Sequence, residues 1–205
     1  MLGMKPEIAK ETLLGFGKIL DEAGIKFWLH GGTLLGAIRE GSFIPGDWDI
    51  DLIALAGDWK PEIVPKIQAL FDSVDLRRDG LYPFGYRKIV IKRRRAALSI
   101  LFYLYYAPKN VFVFPKRFGG KLVDDPRWCE ISPALLETEI FIEFVGQKFR
   151  IPDKSEELLE IMYGPTWRES RLRGWNVRRT FKIIPPREYI PWILKHPKEA
   201  MRGMG

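Results

Sequence analysis

Asp47, Asp49 and Asp51 fall two apart in the stretch Ile44-Pro45-Gly46-Asp47-Trp48-Asp49-Ile50-Asp51-Leu52. On an extended strand this spacing puts the three carboxylates on one face and Trp48, Ile50 and Leu52 on the other. Three like charges on one edge repel unless a cation sits among them. Hard oxygen donors at this spacing suit Mg²⁺ or Mn²⁺, which in turn hold phosphate oxygens. A solvated edge is the plain alternative. A calcium loop fits less well, because the glycine and distal glutamate of EF-hand spacing are missing. The apolar residues that follow, Ile50, Leu52, Ile53 and Leu55, favour the metal, since carboxylates entering a buried strand are costly without a counter-charge.

Upstream stands His30-Gly31-Gly32-Thr33-Leu34-Leu35-Gly36-Ala37-Ile38-Arg39. A Gly-Gly between a strand and a short helix lets backbone approach a ligand closely, and a helix N-terminus offers N–H groups to an anion. Placed before an acidic strand, it suggests a glycine turn against a diphosphate or triphosphate, with a metal between phosphate and carboxylates. Thr33 is expected to cap the helix. Arg39, at the helix end, either clamps a phosphate or answers the helix dipole. His30 reads as structural more readily than as a ligand-binding group.

These residues need elements to position them. Pro6 to Ala23 reads as a helix, with Ile8, Leu13, Leu14, Ile19 and Leu20 near a 3.6-residue period and Gly24 as its stop. Ile25 to His30 alternates as a strand, and Asp47 to Ala54 reads as a second. Pro61 to Phe71 is expected to be helical despite Pro65. Arg87–Lys92, Leu98–Tyr106 and Val111–Phe114 carry β-branched and aromatic residues between turn signals. Glu139–Phe144 and Lys148–Ile151 read as a hairpin about Gly146-Gln147, and Ser155 to Met162 as a helix. From Trp167 the chain is rich in Arg, Pro and aromatics and poor in periodicity. The expectation is a single α+β domain over residues 1–205, its core spanning about 6–167 and a basic tail, 168–205, wrapping it.

Composition narrows the classes. The 205 residues carry 33 Lys and Arg against 26 Asp and Glu, a formal +7. Hydrophobic residues at 46% and charged residues at 29% describe a globular chain rather than a disordered one. One cysteine, Cys129, excludes disulfide scaffolds and zinc ribbons. A reducing, cytoplasmic compartment is expected. Charges at Lys5, Glu7, Lys10 and Glu11 argue against a signal peptide. The longest apolar run, Ala96 to Ala107, is shorter than the roughly 18 residues a bilayer requires. The excess positive charge gathers in Lys92-Arg93-Arg94-Arg95 and in Arg168, Arg171, Arg173, Arg178 and Arg179. Such clusters bind polyanions, phosphorylated small molecules or an anionic membrane surface, or are solvated faces. No nucleic-acid module accompanies them.

Gly31-Gly32-Thr33-Leu34-Leu35-Gly36 with Arg39, followed by Ile44-Pro45, Asp47, Asp49 and Asp51, resembles the signature of the LicD/fukutin-related phosphotransferases, within the nucleotidyltransferase-fold superfamily. A second block, Phe149 to Pro152, Leu158-Leu159, Tyr163-Gly164 and Trp167, is similar to the family's closing element. The resemblance implies a mixed, nucleotidyltransferase-like β-sheet flanked by helices. It also implies metal-dependent transfer of phosphocholine or a polyol phosphate from a CDP-linked donor to a sugar or glycan hydroxyl. By that analogy Asp49 and Asp51 are the metal pair, Asp47 an outer or third ligand, and Gly31-Gly32 the phosphate turn, with Mg²⁺ or Mn²⁺ as the ion.

Two departures stand out. Gly46 occupies the place of the family's tryptophan. Ser99 stands on the central strand where the superfamily commonly has a further carboxylate, and Glu139, Glu143, Asp124 and Asp125 are the acids available to replace it. Two other readings stay open, a nucleotidyltransferase using a nucleoside triphosphate and a nucleotide-binding protein with impaired catalysis.

Overall fold

The computed structural model describes residues 3–78, 86–116, 127–169, 183–184 and 186–202. Helix α1 (Pro6–Glu22) opens the fold, with Pro6 in its first turn, where the missing N–H costs nothing. It buries Ala9, Leu13, Phe16 and Leu20 along one stripe. Gly24, at φ +66°, follows it and turns the chain into β1 (Phe27–Leu29). Helix α2 (Gly31–Arg39) comes next, and β2 (Asp49–Leu55) runs back antiparallel to β1.

The stretch expected as one helix from Pro61 to Phe71 divides into a 3₁₀ turn, Pro61–Ile63, and α3 (Val64–Leu70). Pro65 is the reason. Without an N–H it is tolerated in the first turn of a helix and not within one, so the α-helix starts beside it.

Strands β3 (Ser73–Arg78), β4 (Tyr86–Arg93), β5 (Ala96–Tyr106), β6 (Val111–Lys116) and β7 (Arg127–Ile131) form the body of the sheet. Among the described strands, β2 and β5 are the parallel pair, and the other pairings are antiparallel. The long β5 lies against β2 on one side. On its other side β4 takes residues 96–101 and β6 takes 104–106. A separate hairpin joins β8 (Glu139–Phe144) and β9 (Gln147–Pro152) across Val145-Gly146. Helix α4 (Ser155–Tyr163) follows. The architecture is mixed α+β, as expected.

The C-terminal stretch is more regular than its sequence suggests. β10 (Ile183–Ile184) pairs with β7, and α5 (Pro186–Lys195) and α6 (Pro197–Ala200) follow. Tyr189, Ile193 and Ala200 are buried in the same apolar cluster as Phe16 and Leu52. Among the described residues no helix is long and apolar enough to cross a membrane.

Alternation divides the central sheet into two faces. Ile50, Leu52, Leu98, Ile100, Ile89 and Ile91 are fully buried on one face. The other carries Asp49, Asp51, Ala97, Ser99, Val90 and Lys88, and is only partly covered.

Candidate functional site

Two hydrogen bonds fix the start of α2 to the start of β2. The His30 N–H donates to the Asp51 carbonyl at 3.0 Å, and the Asp51 N–H donates to Thr33 Oγ1 at 2.9 Å. The Leu34 N–H closes the first helical turn on the His30 carbonyl. Thr33 therefore anchors the strand and does not cap the helix, whose N-cap position is His30. The N–H groups of Gly31, Gly32 and Thr33 have no acceptor within the helix by its geometry, and the Asp51 carboxylate lies against Gly31.

Gly31 has φ +54°, and a methyl group on its Cα would collide with the Asp51 carboxylate. Both conformation and space therefore demand glycine here. Gly36 serves a different contact, since a Cβ there would come within 2.5 Å of the Ser42 carbonyl oxygen on the returning loop.

Asp49 and Asp51 open β2 on the partly covered face. Asp51 is the cross-strand partner of Ser99, whose Oγ donates to Asp51 Oδ1 at 2.9 Å. Asp47 does not lie on the strand, which begins only at Asp49. It is buried in the preceding turn, where its Oδ1 accepts the Trp48 N–H at 2.8 Å. Trp48 itself is exposed beside these acids.

The electrostatics follow from this crowding. Burial, then the charges of Asp51 and Asp47, push Asp49 up to about 6, against the pull of Lys88. Burial also raises Asp47, opposed by its hydrogen bond from Trp48 and reinforced by Asp51. The site is short of positive charge. Among the described residues no three His, Cys, Asp or Glu side chains form a group that could hold a metal ion. The carboxylate pair does fit an ion of the Mg²⁺ class, which uses one or two protein carboxylates and takes its other oxygens from phosphate and water.

Arg39 is not brought to this site. It lies at the far end of α2, about 12 Å along the axis from Gly31. Its guanidinium pairs with Glu40 at 2.7 Å and donates to the carbonyls of Trp167 and Glu169. His30 is buried beneath the helix start, its Nε2 3.2 Å from the Tyr103 hydroxyl.

Of the acids considered in place of Ser99, Glu139 belongs to the separate hairpin. Hydrogen bonds from Lys26 and Arg150 lower its carboxyl from the ordinary value. Glu143 is exposed on the same strand, and Asp124 and Asp125 lie outside the described residues. So do Tyr82, Phe84, Arg171, Arg173, Arg178 and Arg179, and the side chains of Tyr86 and Cys129. Tyr103 and Tyr106 are core, and Tyr105 bonds Asn110.

Lys88 carried no weight in the sequence. The available signal was alternation, since Ile89 and Ile91 are apolar and Lys88, Val90 and Lys92 must share the opposite face.

A family model described as LicD/FKTN/FKRP, nucleotidyltransferase domain, matches residues 24–153. Ribitol-5-phosphate transferase FKTN of Macaca fascicularis is 26% identical over 194 residues, covering 89% of this chain and 38% of that protein. Ribitol 5-phosphate transferase FKRP of Homo sapiens is 56% identical over 43 residues, 21% of this chain and 9% of that protein. The chain thus spans less than two-fifths of the length of these relatives. Among solved structures, lincosamide antibiotic adenylyltransferase LnuA, lincomycin-bound, aligns with a TM-score of 0.48 and 13% identity, over 74% of this chain and 85% of that one.

Proposed function

The chain belongs to the LicD/FKTN/FKRP nucleotidyltransferase-domain family, and from that premise we propose that it transfers a phospho-alcohol group from a nucleoside-diphosphate-linked donor to a sugar hydroxyl. The observation that carries the reading is the juxtaposition of Asp49 and Asp51 with the first turn of α2. The Asp51 carboxylate lies against Gly31 and the Asp51 N–H donates to Thr33 Oγ1, so the paired acids at the head of β2 stand at the start of α2. The ribitol-5-phosphate transferase names of the relatives support a polyol phosphate as the group moved, and a CDP-type donor is part of the proposal.

Asp49 and Asp51 would hold Mg²⁺ or Mn²⁺, with Asp47 as an outer ligand. The ion would supply charge stabilisation at the phosphoryl group. The chain's own residues do the rest. Gly31, Gly32 and Thr33 present N–H groups to phosphate oxygen, and the Thr33 and His30 bonds hold β2 at a fixed distance from that turn. Ser99 orients the Asp51 carboxylate through its donated hydrogen bond.

In the reaction, the acceptor hydroxyl oxygen bonds to the alcohol-bearing phosphorus. The bond from that phosphorus to the bridging oxygen breaks, the nucleoside monophosphate leaves, and the hydroxyl proton is released to water. The exposed Lys92, Arg94 and Arg95 at the β4–β5 turn offer positive charge to an anionic acceptor or membrane surface. The single cysteine supports a reducing, cytoplasmic setting. Calorimetric titration with CDP-ribitol and with nucleoside triphosphates, each with Mn²⁺, tests the reading. Binding of the CDP-alcohol is expected, and binding of triphosphates alone would replace the reading with nucleotidyl transfer.

A further inference from the structure

The heads of β2 and β5 and the tail of β4 meet at one end of the sheet. β2 and β5 run parallel and pair from Asp49 and Ala97 onward, while Arg93, the last residue of β4, pairs with Ala96. Arg94 and Arg95 turn the chain between β4 and β5 at that end, and Trp48 stands one residue before Asp49. Lys92, Arg94, Arg95 and Trp48 are all exposed, the indole at 54%. The backbone at Trp48 is pinned. Its N–H donates to Asp47 Oδ1 at 2.8 Å, and the Asp47 carbonyl accepts the Met4 N–H at 2.9 Å. Two acids near the turn are already engaged, Glu11 with Arg93 at 3.7 Å and Asp72, whose Oδ2 accepts the Arg94 N–H at 2.6 Å. Among the described residues no ion pair holds the side chains of Lys92, Arg94 or Arg95. Arg94 also has φ +52°, a left-handed backbone that two-residue hairpin turns ordinarily give to glycine or asparagine. The turn itself is better served by either of those residues, so what Arg94 supplies is charge at the tip.

We propose that this end of the sheet docks on an anionic lipid surface, with Lys92, Arg94 and Arg95 facing lipid phosphates and Trp48 lodged at headgroup level. Basic side chains beside a negatively charged leaflet each add attraction, and an indole, apolar with one N–H, settles at the membrane interface. A hairpin tip meets a flat surface without a groove to receive it. A soluble polyanion would use the three cations as well, but it gives the exposed indole no apolar phase to enter. Docking in this way brings headgroups close to the acids, since the Cα atoms of Trp48 and Asp49 are about 3.8 Å apart. The contact is independent of which donor the acids bind, so no nucleotide is needed to observe it.

The test is co-sedimentation of the whole 205-residue chain with vesicles of phosphatidylcholine alone and of phosphatidylcholine with an equal share of phosphatidylglycerol, at physiological salt. Wild type should bind the mixed vesicles and leave the neutral ones. Arg94→Asn should weaken that binding about fivefold, and Lys92→Ser, Arg94→Asn and Arg95→Ser together on the order of 100-fold. Arg94→Asn should nevertheless melt no lower than wild type, because asparagine suits the left-handed turn. Trp48→Ser should cost about 10-fold in vesicle binding. A charge-matched control, Lys148→Ser, Lys195→Ser and Lys198→Ser together, lies away from this end on β9, α5 and α6 and should stay within about threefold of wild type. Wild type that does not prefer the mixed vesicles overturns the assignment, as does wild-type binding in the triple variant or in Trp48→Ser. An equal loss in the control also overturns it, since only net charge would then matter, and so does a lower melting temperature in Arg94→Asn, which would report a damaged turn. Wild type that binds soluble polyphosphate and ignores both kinds of vesicle would assign the tip to a polyanionic acceptor instead.

Discussion

Asp49 carries a strain that can be measured without any substrate. Its folded-state value near 6 lies above the usual carboxylate range because burial and two neighbouring carboxylates penalise its charge. A raised acid binds its proton more tightly when folded, so native stability falls as pH rises from about 4 through about 6. Asn has the same shape and no charge. The stability gain of Asp49→Asn over wild type in metal-free buffer should therefore be near zero at about pH 4 and reach about 3 kcal/mol by pH 7. Urea melts at the two pH values check this, and a gain independent of pH would mean that Asp49 is not crowded. Gly31 makes a second demand. Gly31→Ala meets both a left-handed backbone and the Asp51 carboxylate, at a cost of about 1–3 kcal/mol. Made together with Asp51→Ala, the same change should cost about 1 kcal/mol less, because only the backbone penalty remains. Strictly additive losses in a denaturant double-mutant cycle would place the two groups apart.

At the scale of elements, the site depends on how α2 is tied to β2. Thr33→Val keeps the side chain's shape but removes the acceptor for the Asp51 N–H, leaving a partly buried donor unpaired, which costs about 1–3 kcal/mol. Thermal melts should show that loss, and a variant as stable as wild type would mean that the strand is held by other bonds. Much of this unit was legible in the sequence. The Gly-Gly between a strand and a short helix, and the alternating acids before an apolar run, are local patterns that report local geometry. Ser99 was singled out through the family resemblance, which expects a carboxylate on the central strand, and the parallel pairing of β2 with β5 sets it against Asp51. Asp47 was misread as a strand residue because alternation in sequence does not mark where pairing begins. The place of Thr33 depends on a strand 18 residues away, which no local rule supplies. Lys88 was missed for the same reason, since the pairing of β4 with β5 decides what its face confronts. The terminal helices escaped notice because Pro, Arg and aromatics blur a period whose apolar positions are fixed by contact with Tyr106.

At the scale of the molecule, the fold separates what holds the site from what the site does. Arg39, at the end of α2 away from the acids, ties the helix to the carbonyls of Trp167 and Glu169. Tyr189, donating to Glu130 at 2.5 Å, anchors α5 against β7. One face of the sheet is packed with Ile and Leu, and the other presents carboxylates, a serine and lysines beside the first turn of α2. Under the proposed function, the charge of this acidic face would be balanced when a divalent ion and a polyanion bind together. One titration tests that joint requirement. CDP is added to wild type and to Asp51→Asn, each with Mn²⁺ and with chelator, and the heat of binding is followed. Wild type should bind CDP with Mn²⁺, chelator should abolish the signal, and Asp51→Asn should give none in either buffer. CDP binding by wild type that is equally tight in chelator, or wild-type affinity in Asp51→Asn with Mn²⁺, would contradict it.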